Sequence, residues 1–174
     1  VATCMDGGAT VELSDMPGGD GETFDAVVAM PGFALGLRSG PEALTEIRFL
    51  SARPARAAGS SLAMEAVRQI LAYRDDPDFR FCLPLAPTGT EFRRRVWAAI
   101  AAIPRGEVRT YSELARALGS SARAVGQACG DNPLPVIVPC HRVVAKAGLG
   151  GFAHSREGRL PDIKRWLLTH EGVL

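Results

Sequence analysis

The chain lacks any apolar run close to the roughly 20 residues of a membrane span, and its polar, acidic, glycine-rich start carries no secretory signal pattern. It begins with Val1 rather than Met, as expected of a trimmed or processed chain. Cys4, Cys82, Cys129 and Cys140 lie far apart, never in a Cys-x-x-Cys spacing, and all three histidines (His141, His154, His170) fall near the C-terminal end. These absences argue against a zinc finger and against a secreted disulfide framework, and favour a reducing cytosol. A metal site joining Cys4 or Cys82 to a remote histidine stays open. No other metal or organic cofactor motif is visible, so none is expected. There is no glycine-rich nucleophile elbow of a hydrolase. No dimerisation segment is evident either, so a monomer without membrane association is expected.

What is present is a globular composition: 174 residues, 47% apolar and 22% charged, enough for one domain or two small ones with a real core. The net charge of +1 hides an asymmetry. Residues 1–87 hold seven arginines against twelve carboxylates, and residues 88–174 hold thirteen Lys/Arg against seven Asp/Glu. An acidic half joined to a basic half suggests that the second half meets a polyanion.

Residues 1–22 show no period and are expected to be a loose leader. Residues 23–30, 33–38 and 44–50 read as strands separated by Pro31-Gly32 and by 39–42, an antiparallel meander. After an Ala/Arg/Pro linker over 51–59, Ser60 or Ser61 caps a helix in which Leu62, Ala66, Ile70 and Tyr73 recur at helical spacing. Asp75-Asp76-Pro77 stops it. Phe79, Phe81, Leu83 and Leu85 alternate as a further strand. Nothing in residues 23–87 proposes chemistry, and they read as an α+β scaffold domain.

Residues 88–174 read as a second domain. Phe92, Val96, Ile100 and Ile103 mark a helix with Arg93-Arg94-Arg95 in its early turns, ended by Pro104-Arg105-Gly106. Thr110 and Glu113 form a capping box for a short helix stopped by Gly119. Ser120 or Ser121 caps another, from Ala122 to Cys129. The pair is a helix-turn-helix. In its second helix Ala122 and Gly126 share a face with Arg123 and Gln127. That slim surface fits either close approach to a partner or tight core packing. Gly148 to Phe152 is a flexible loop, and residues 162–170 form a last helix with Ile163, Trp166, Leu167 and His170 inward, closed by Glu171-Gly172.

Between these helices lies the stretch around which the second half is arranged, Asn132 to Val144. Pro133, Pro135 and Pro139 remove backbone donors, so it reads as a stiff extended segment presenting Cys140. A buried structural cysteine is the bland alternative. A nucleophilic one must become thiolate, and a thiol of pKa near 8.5 therefore needs a base. His141 is the candidate. Neighbours in an extended chain point to opposite sides, so contact between them requires either a sharp turn or a bridging water. Glu171 suits the role of orienting the imidazole; Glu157 and Asp162 are weaker choices.

These residues together carry a resemblance. Asn132-Pro133 followed by Pro139-Cys140-His141-Arg142-Val143-Val144 resembles the active-site motif of the O6-alkylguanine-DNA alkyltransferases. Gly106 to Tyr111 is similar to that family's segment leading to its catalytic tyrosine. Ala122-Arg123-Ala124-Val125-Gly126 is similar to its recognition helix, and Trp166 to Gly172 to its C-terminal motif. The resemblance implies an α+β protein: a small ribonuclease-H-like antiparallel sheet plus helix, followed by a mostly helical, winged-helix-like domain with the helix-turn-helix.

It also implies direct DNA repair in a bacterial, nucleoid-associated cytoplasmic protein. Cys140 would take the alkyl group from O6-alkylguanine, and from O4-alkylthymine, in flipped-out DNA, once per chain and without a cofactor. His141 would accept the thiol proton through a water, and Glu171 would orient it. Tyr111 would donate to N3 of the purine, and Asn132 would tie the recognition helix to the Cys140 segment. Arg123 would enter double-stranded DNA from the minor groove, with Ala122, Ala124, Gly126, Thr110 and Ser121 beside it. Pro135, Val143 and Phe152 would line the substrate pocket.

The sequence departs from the family between Gly151 and the last helix, where residues 153–162 form a longer, charged loop. Here Arg156 or Arg159 is expected to contact phosphate or cover the pocket entrance. Three competing readings remain: a non-transferring alkyltransferase-like lesion-binding protein, a Cys-His-Glu hydrolase, and a redox-sensing transcription factor.

Overall fold

The computed structural model describes residues 23–86, 88–155 and 158–174. The expected leader, residues 1–22, lies outside the described residues. Strands β1 (Ala26–Met30), β2 (Phe33–Ser39) and β3 (Leu44–Ser51) form an antiparallel sheet in the order β1-β2-β3. Pro31 and Gly32 make the two-residue turn that sets Met30 opposite Phe33. Pro31 supplies the fixed φ of a second turn position, and Gly32 takes φ 82°, which the third position demands. The central strand is buried on both faces. Phe33, Leu35 and Leu37 enter the main core, whereas Ala34 joins Phe24, Val27 and Leu50 on the other side.

Helix α1 (Ser61–Asp75) is capped by Ser60, whose side chain accepts from the Ala63 amide, and its Ala66, Ile70 and Tyr73 face packs on the sheet. The strand expected at residues 79–85 does not form. Phe79, Phe81 and Leu83 are half-buried and Leu85 is exposed, so the alternation is partly present. Ladder pairing shrinks to one bridge, Leu44 with Leu85. Pro84 has no N–H to donate and serves only as acceptor for Leu44. Cys82 is disulfide-bonded, which departs from the reading of the cysteine spacing as favouring a reducing cytosol.

In the second half, α2 (Glu91–Ala101) starts at Thr90. Strand β4 (Arg109–Thr110) leads into α3 (Tyr111–Leu118), and α4 (Ala122–Gly130) follows after the αL residue Gly119. Both parts of the predicted capping box are present: Thr110 accepts from the Glu113 amide, and the Glu113 carboxylate accepts from the Thr110 amide. A 3-10 turn (Cys140–Arg142) and strand β5 (Val143–Val144) precede α5 (Arg159–His170). That last helix begins three residues earlier than expected because Pro161 is tolerated within a first turn.

One core runs through both halves. Phe33 of β2 meets Trp166 of α5 edge-on at 5.4 Å, and Phe49 of β3 meets Phe152 at 5.1 Å. The Ile47 amide of β3 donates to the Pro133 carbonyl at 2.8 Å, fastening the sheet edge to the Cys140 segment. Phe33→Ala is expected to cost about 3–5 kcal/mol in urea unfolding. Because the core is shared, the tryptophan-fluorescence and far-ultraviolet circular-dichroism transitions should stay coincident; two separated transitions would contradict it.

Candidate active site

The Asn132–Pro139 segment is not extended throughout, contrary to expectation. The Val138 amide donates back to the Leu134 carbonyl at 2.9 Å, Pro135 bridges Val138, and Val136 takes φ 76°. A β-branched residue in the left-handed region is strained by about 1–3 kcal/mol and persists only where its surroundings over-determine it. Here they do: Leu134, Pro135 and Val136 are all buried, and proline removes the alternatives. The Asn132 side chain closes the turn, its Nδ2 donating to the Val138 carbonyl at 2.8 Å and its Oδ1 accepting from the Leu134 amide at 3.0 Å. Asn132 follows directly on Asp131, the C-cap of α4, so one amide joins the slim helix to the cysteine segment.

Cys140 opens the 3-10 turn, which supplies the sharp bend that the adjacent Cys-His pair requires. Burial pushes its thiol up, while the Asn132 amide, Lys164, and the backbone N–H groups of Cys140 and His141 act in the opposite direction. Cys129 differs. It is also a buried free thiol, pushed up to about 12 by burial and then by the neighbouring Cys140. Only Cys140 has hydrogen-bond donors acting on its sulfur, so the two thiols are chemically distinct.

His141 and Glu171 have no exposed side-chain surface, and His141 Nε2 lies 2.9 Å from Glu171 Oε1. Burial pushes Glu171 up, but hydrogen bonds from Arg142 and His141 outweigh it and hold the carboxyl well below its usual range. Arg142 is bidentate, with Nε and Nη2 each 2.8 Å from a Glu171 oxygen, while Nη1 donates to the Ile103 carbonyl at 2.6 Å. Burial lowers the pKa of His141 despite Glu171, so the ring is neutral near pH 7. An ionised Glu171 makes Nε2 the protonated nitrogen, which leaves a lone pair on Nδ1. Nδ1 is the one buried side-chain polar atom among the described residues without a hydrogen-bond partner.

Tyr111 enters from the start of α3. The parallel β4–β5 pairing, Arg109 with Val143 and Thr110 with Val144, places its ring beside the cysteine turn. Its hydroxyl donates to the Gly151 carbonyl at 3.2 Å, and burial keeps it protonated far above neutral pH.

The other predicted residues are distributed as follows. Arg123 and Ala122 are exposed on α4, Ala124 and Gly126 are half-buried, and Ser121 caps the helix by accepting from Ala124. A side chain at Gly126 would come within 3.9 Å of the Tyr111 ring, so the slim face runs up to the site. Pro135, Val143 and Phe152 are buried; Val143 is 0% exposed. Of the alternative carboxylates, Asp162 is exposed in the first turn of α5, and Glu157 lies outside the described residues. Arg156 lies outside them too, and Arg159 hydrogen-bonds Ser51 of β3.

Sequence reasoning missed Lys164. Its side chain is fully buried, and Nζ donates to the Val143 and Leu149 carbonyls at 2.6 Å and to Gly151 at 3.1 Å. Burial lowers its pKa to about 8. It thereby ties the Gly148–Gly151 loop, through Leu149 and Gly151, to Val143 of β5. The buried stripe Ile163, Lys164, Leu167, Leu168, Glu171 contains both ions, and a lysine inside an otherwise apolar helical arc was the available signal.

The stretch 153–162 is fastened at its near end. His154 Nε2 lies 2.9 Å from Asp131 Oδ1, and Asp131 also pairs with Arg93 of α2. The imidazole occupies the space that a side chain at Gly130 would need, its ring atoms overlapping the position of an ideal Cβ. Alanine ordinarily stabilises a helical position over glycine by about 0.5–1 kcal/mol. Gly130→Ala is therefore expected to displace the His154 ring and to raise the thermal midpoint less in the native chain than in a His154→Ala background. Equal changes in both backgrounds would contradict the contact.

Comparison with known proteins agrees with this geometry. Residues 91–173 match the family model described as 6-O-methylguanine DNA methyltransferase, DNA binding domain. The chain is similar to the methylated-DNA–protein-cysteine methyltransferase of Archaeoglobus fulgidus, 44% identical over 117 residues, covering 66% of this chain and 78% of that one. A protein of Acanthamoeba polyphaga mimivirus is 46% identical over 101 residues, 57% of this chain and 64% of its own length. Among solved structures, Mycobacterium tuberculosis OGT in complex with DNA superposes with a TM-score of 0.69 at 35% identity, covering 84% of this chain and 91% of that one. Sequence, fold and the arrangement around Cys140 converge: the chain belongs to the methylated-DNA–protein-cysteine methyltransferase family.

Proposed function

We propose that this protein repairs DNA directly by taking the alkyl group of O6-alkylguanine, and of O4-alkylthymine, onto Cys140. The observation that carries the reading is the buried Glu171–His141 pair, whose free Nδ1 lone pair belongs to the residue next to a thiol with donors on its sulfur. Cys140 Sγ attacks the alkyl carbon as the C–O6 bond breaks. The thiol proton passes through one water to His141 Nδ1, and the Asn132 amide and backbone N–H groups stabilise sulfur's developing charge. Tyr111, protonated at all working pH values, donates to N3 of the departing guanine. The thioether product has no route back to thiol, so each chain acts once.

Similarity to a relative solved with DNA supports a DNA partner. The exposed Arg123 on a slim helix suits minor-groove entry, with the arginine filling the place of the flipped nucleotide. No helix among the described residues is long and apolar enough to cross a membrane. We place the protein as a monomer on the bacterial nucleoid.

Incubation with an O6-methylguanine oligonucleotide should add one methyl per chain, mapped to Cys140 by peptide mass and absent in Cys140→Ala. Multiple turnover, or binding without an adduct, would overturn the reading. Arg123→Ala should slow repair of duplex DNA by on the order of tenfold or more while sparing reaction with the free alkylated base. Equal losses on both would remove Arg123 from base flipping.

A further inference from the structure

We infer that Tyr73, on α1 of the N-terminal half, is a positioning residue of the alkyl-acceptor site, acting on His141 through Glu171. The inference rests on the alkyl-transfer reading for its function, but not for its geometry.

The Tyr73 hydroxyl donates to Glu171 Oε1 at 2.8 Å, across 98 residues of chain. This is the same oxygen that faces His141 Nε2 at 2.9 Å and Arg142 Nη2 at 2.8 Å. Tyr73 is 2% exposed and Glu171 1%, so water does not compete for the contact. A carboxylate oxygen shared by three donors gives each a part of its charge. The phenol therefore draws charge away from the imidazole, and its removal leaves more for His141.

The other charged and titratable groups around the pair come from every neighbouring element. Arg142 in the 3-10 turn and Lys164 on α5 both oppose a charged His141. Arg105, after α2, donates to the Glu171 carbonyl at 2.8 Å. His170 of α5 meets the Tyr73 ring edge-on at 5.1 Å, and its Nε2 lies 2.8 Å from the Tyr73 carbonyl. Phe81 packs on the same ring at 5.4 Å. These contacts hold the ring itself, so Tyr73→Phe removes the donor and keeps the packing.

The consequence is a change in proton affinity. With Tyr73→Phe the imidazolium form of His141 gains stability, and the thiolate–imidazolium pair gains population over thiol and neutral imidazole. In the acid limit the rate of thiolate chemistry depends on Cys140 ionising beside an imidazolium that is already formed, and this does not change. The midpoint of the low-pH limb and the height of the plateau therefore rise together.

The test is the pH profile of Cys140 carboxamidomethylation by iodoacetamide, mapped by peptide mass to exclude Cys129, on the full chain without DNA. Methyl uptake from an O6-methylguanine oligonucleotide is followed in parallel. For Tyr73→Phe the midpoint should move up by about half a unit to one unit, with a plateau about three- to tenfold higher. Phe81→Leu, which disturbs packing alone, should lower the melting temperature and leave the profile in place. An unchanged midpoint in Tyr73→Phe, or a downward shift, would overturn the role and leave Tyr73 a structural residue. If the iodoacetamide profile moves as stated while no protein takes up methyl from the oligonucleotide, the positioning role stands and the repair reading falls.

Discussion

Glu171 is a full negative charge with no exposed side-chain surface, and much of the site is arranged by what that charge requires. An unpaired buried carboxylate is not tolerated; removing one partner from a buried ion pair costs about 3–5 kcal/mol. The bidentate Arg142 supplies the counter-charge, and Tyr73 and His141 fill the remaining acceptor positions. Once Glu171 is held ionised, the tautomer of His141 follows, and with it the free lone pair on Nδ1. The lone pair that the proposed reaction uses is thus a by-product of satisfying a buried ion.

That requirement explains why the two halves share a core. The carboxylate sits at the end of α5, its arginine comes from the cysteine turn, and its phenol comes from α1 of the acidic half. The sheet edge adds a backbone bond at Pro133, and Phe33 braces α5 through Trp166. Lys164 performs a similar service on the other side, drawing three carbonyls around one ammonium. Two buried ions of opposite sign, seven residues apart along α5 and its C-cap, organise the loops around Cys140.

Much of this was legible in the residues. The hairpin turn at Pro31-Gly32, the capping box at Thr110 and Glu113, and the αL stop at Gly119 are local chemistry, and they form where expected. That His141 would meet Glu171 beside Cys140 was legible because a thiolate asks for a base and an orienting acid, and the resemblance pointed to each residue. Three features were not legible. Tyr73 lies on a helix whose spacing already explained it as core, and no local signal reports a partner 98 residues away. The turn at Val136 contradicts the conformational preference of valine, because burial and flanking prolines override local propensity there. The strand over 79–85 failed because alternation says nothing about whether a partner edge is free, and β3 divides its edge between Leu85 and Pro133.

The two-residue ladder between β4 and β5 has a consequence for how the chain can change length. Thr110 is at once the last ladder residue and the N-cap of α3, and Val143 follows the cysteine turn without a spacer. One residue added or lost on either side of this seam would turn Tyr111 away from Cys140 by about 100°, the angular step of a helix, with no slack to absorb it. The stretch after Phe152 has the opposite character, since its near end is pinned by His154 and its far end opens directly into a helix. A change of length is therefore admissible after Phe152, where the charged stretch lies, and forbidden at the seam.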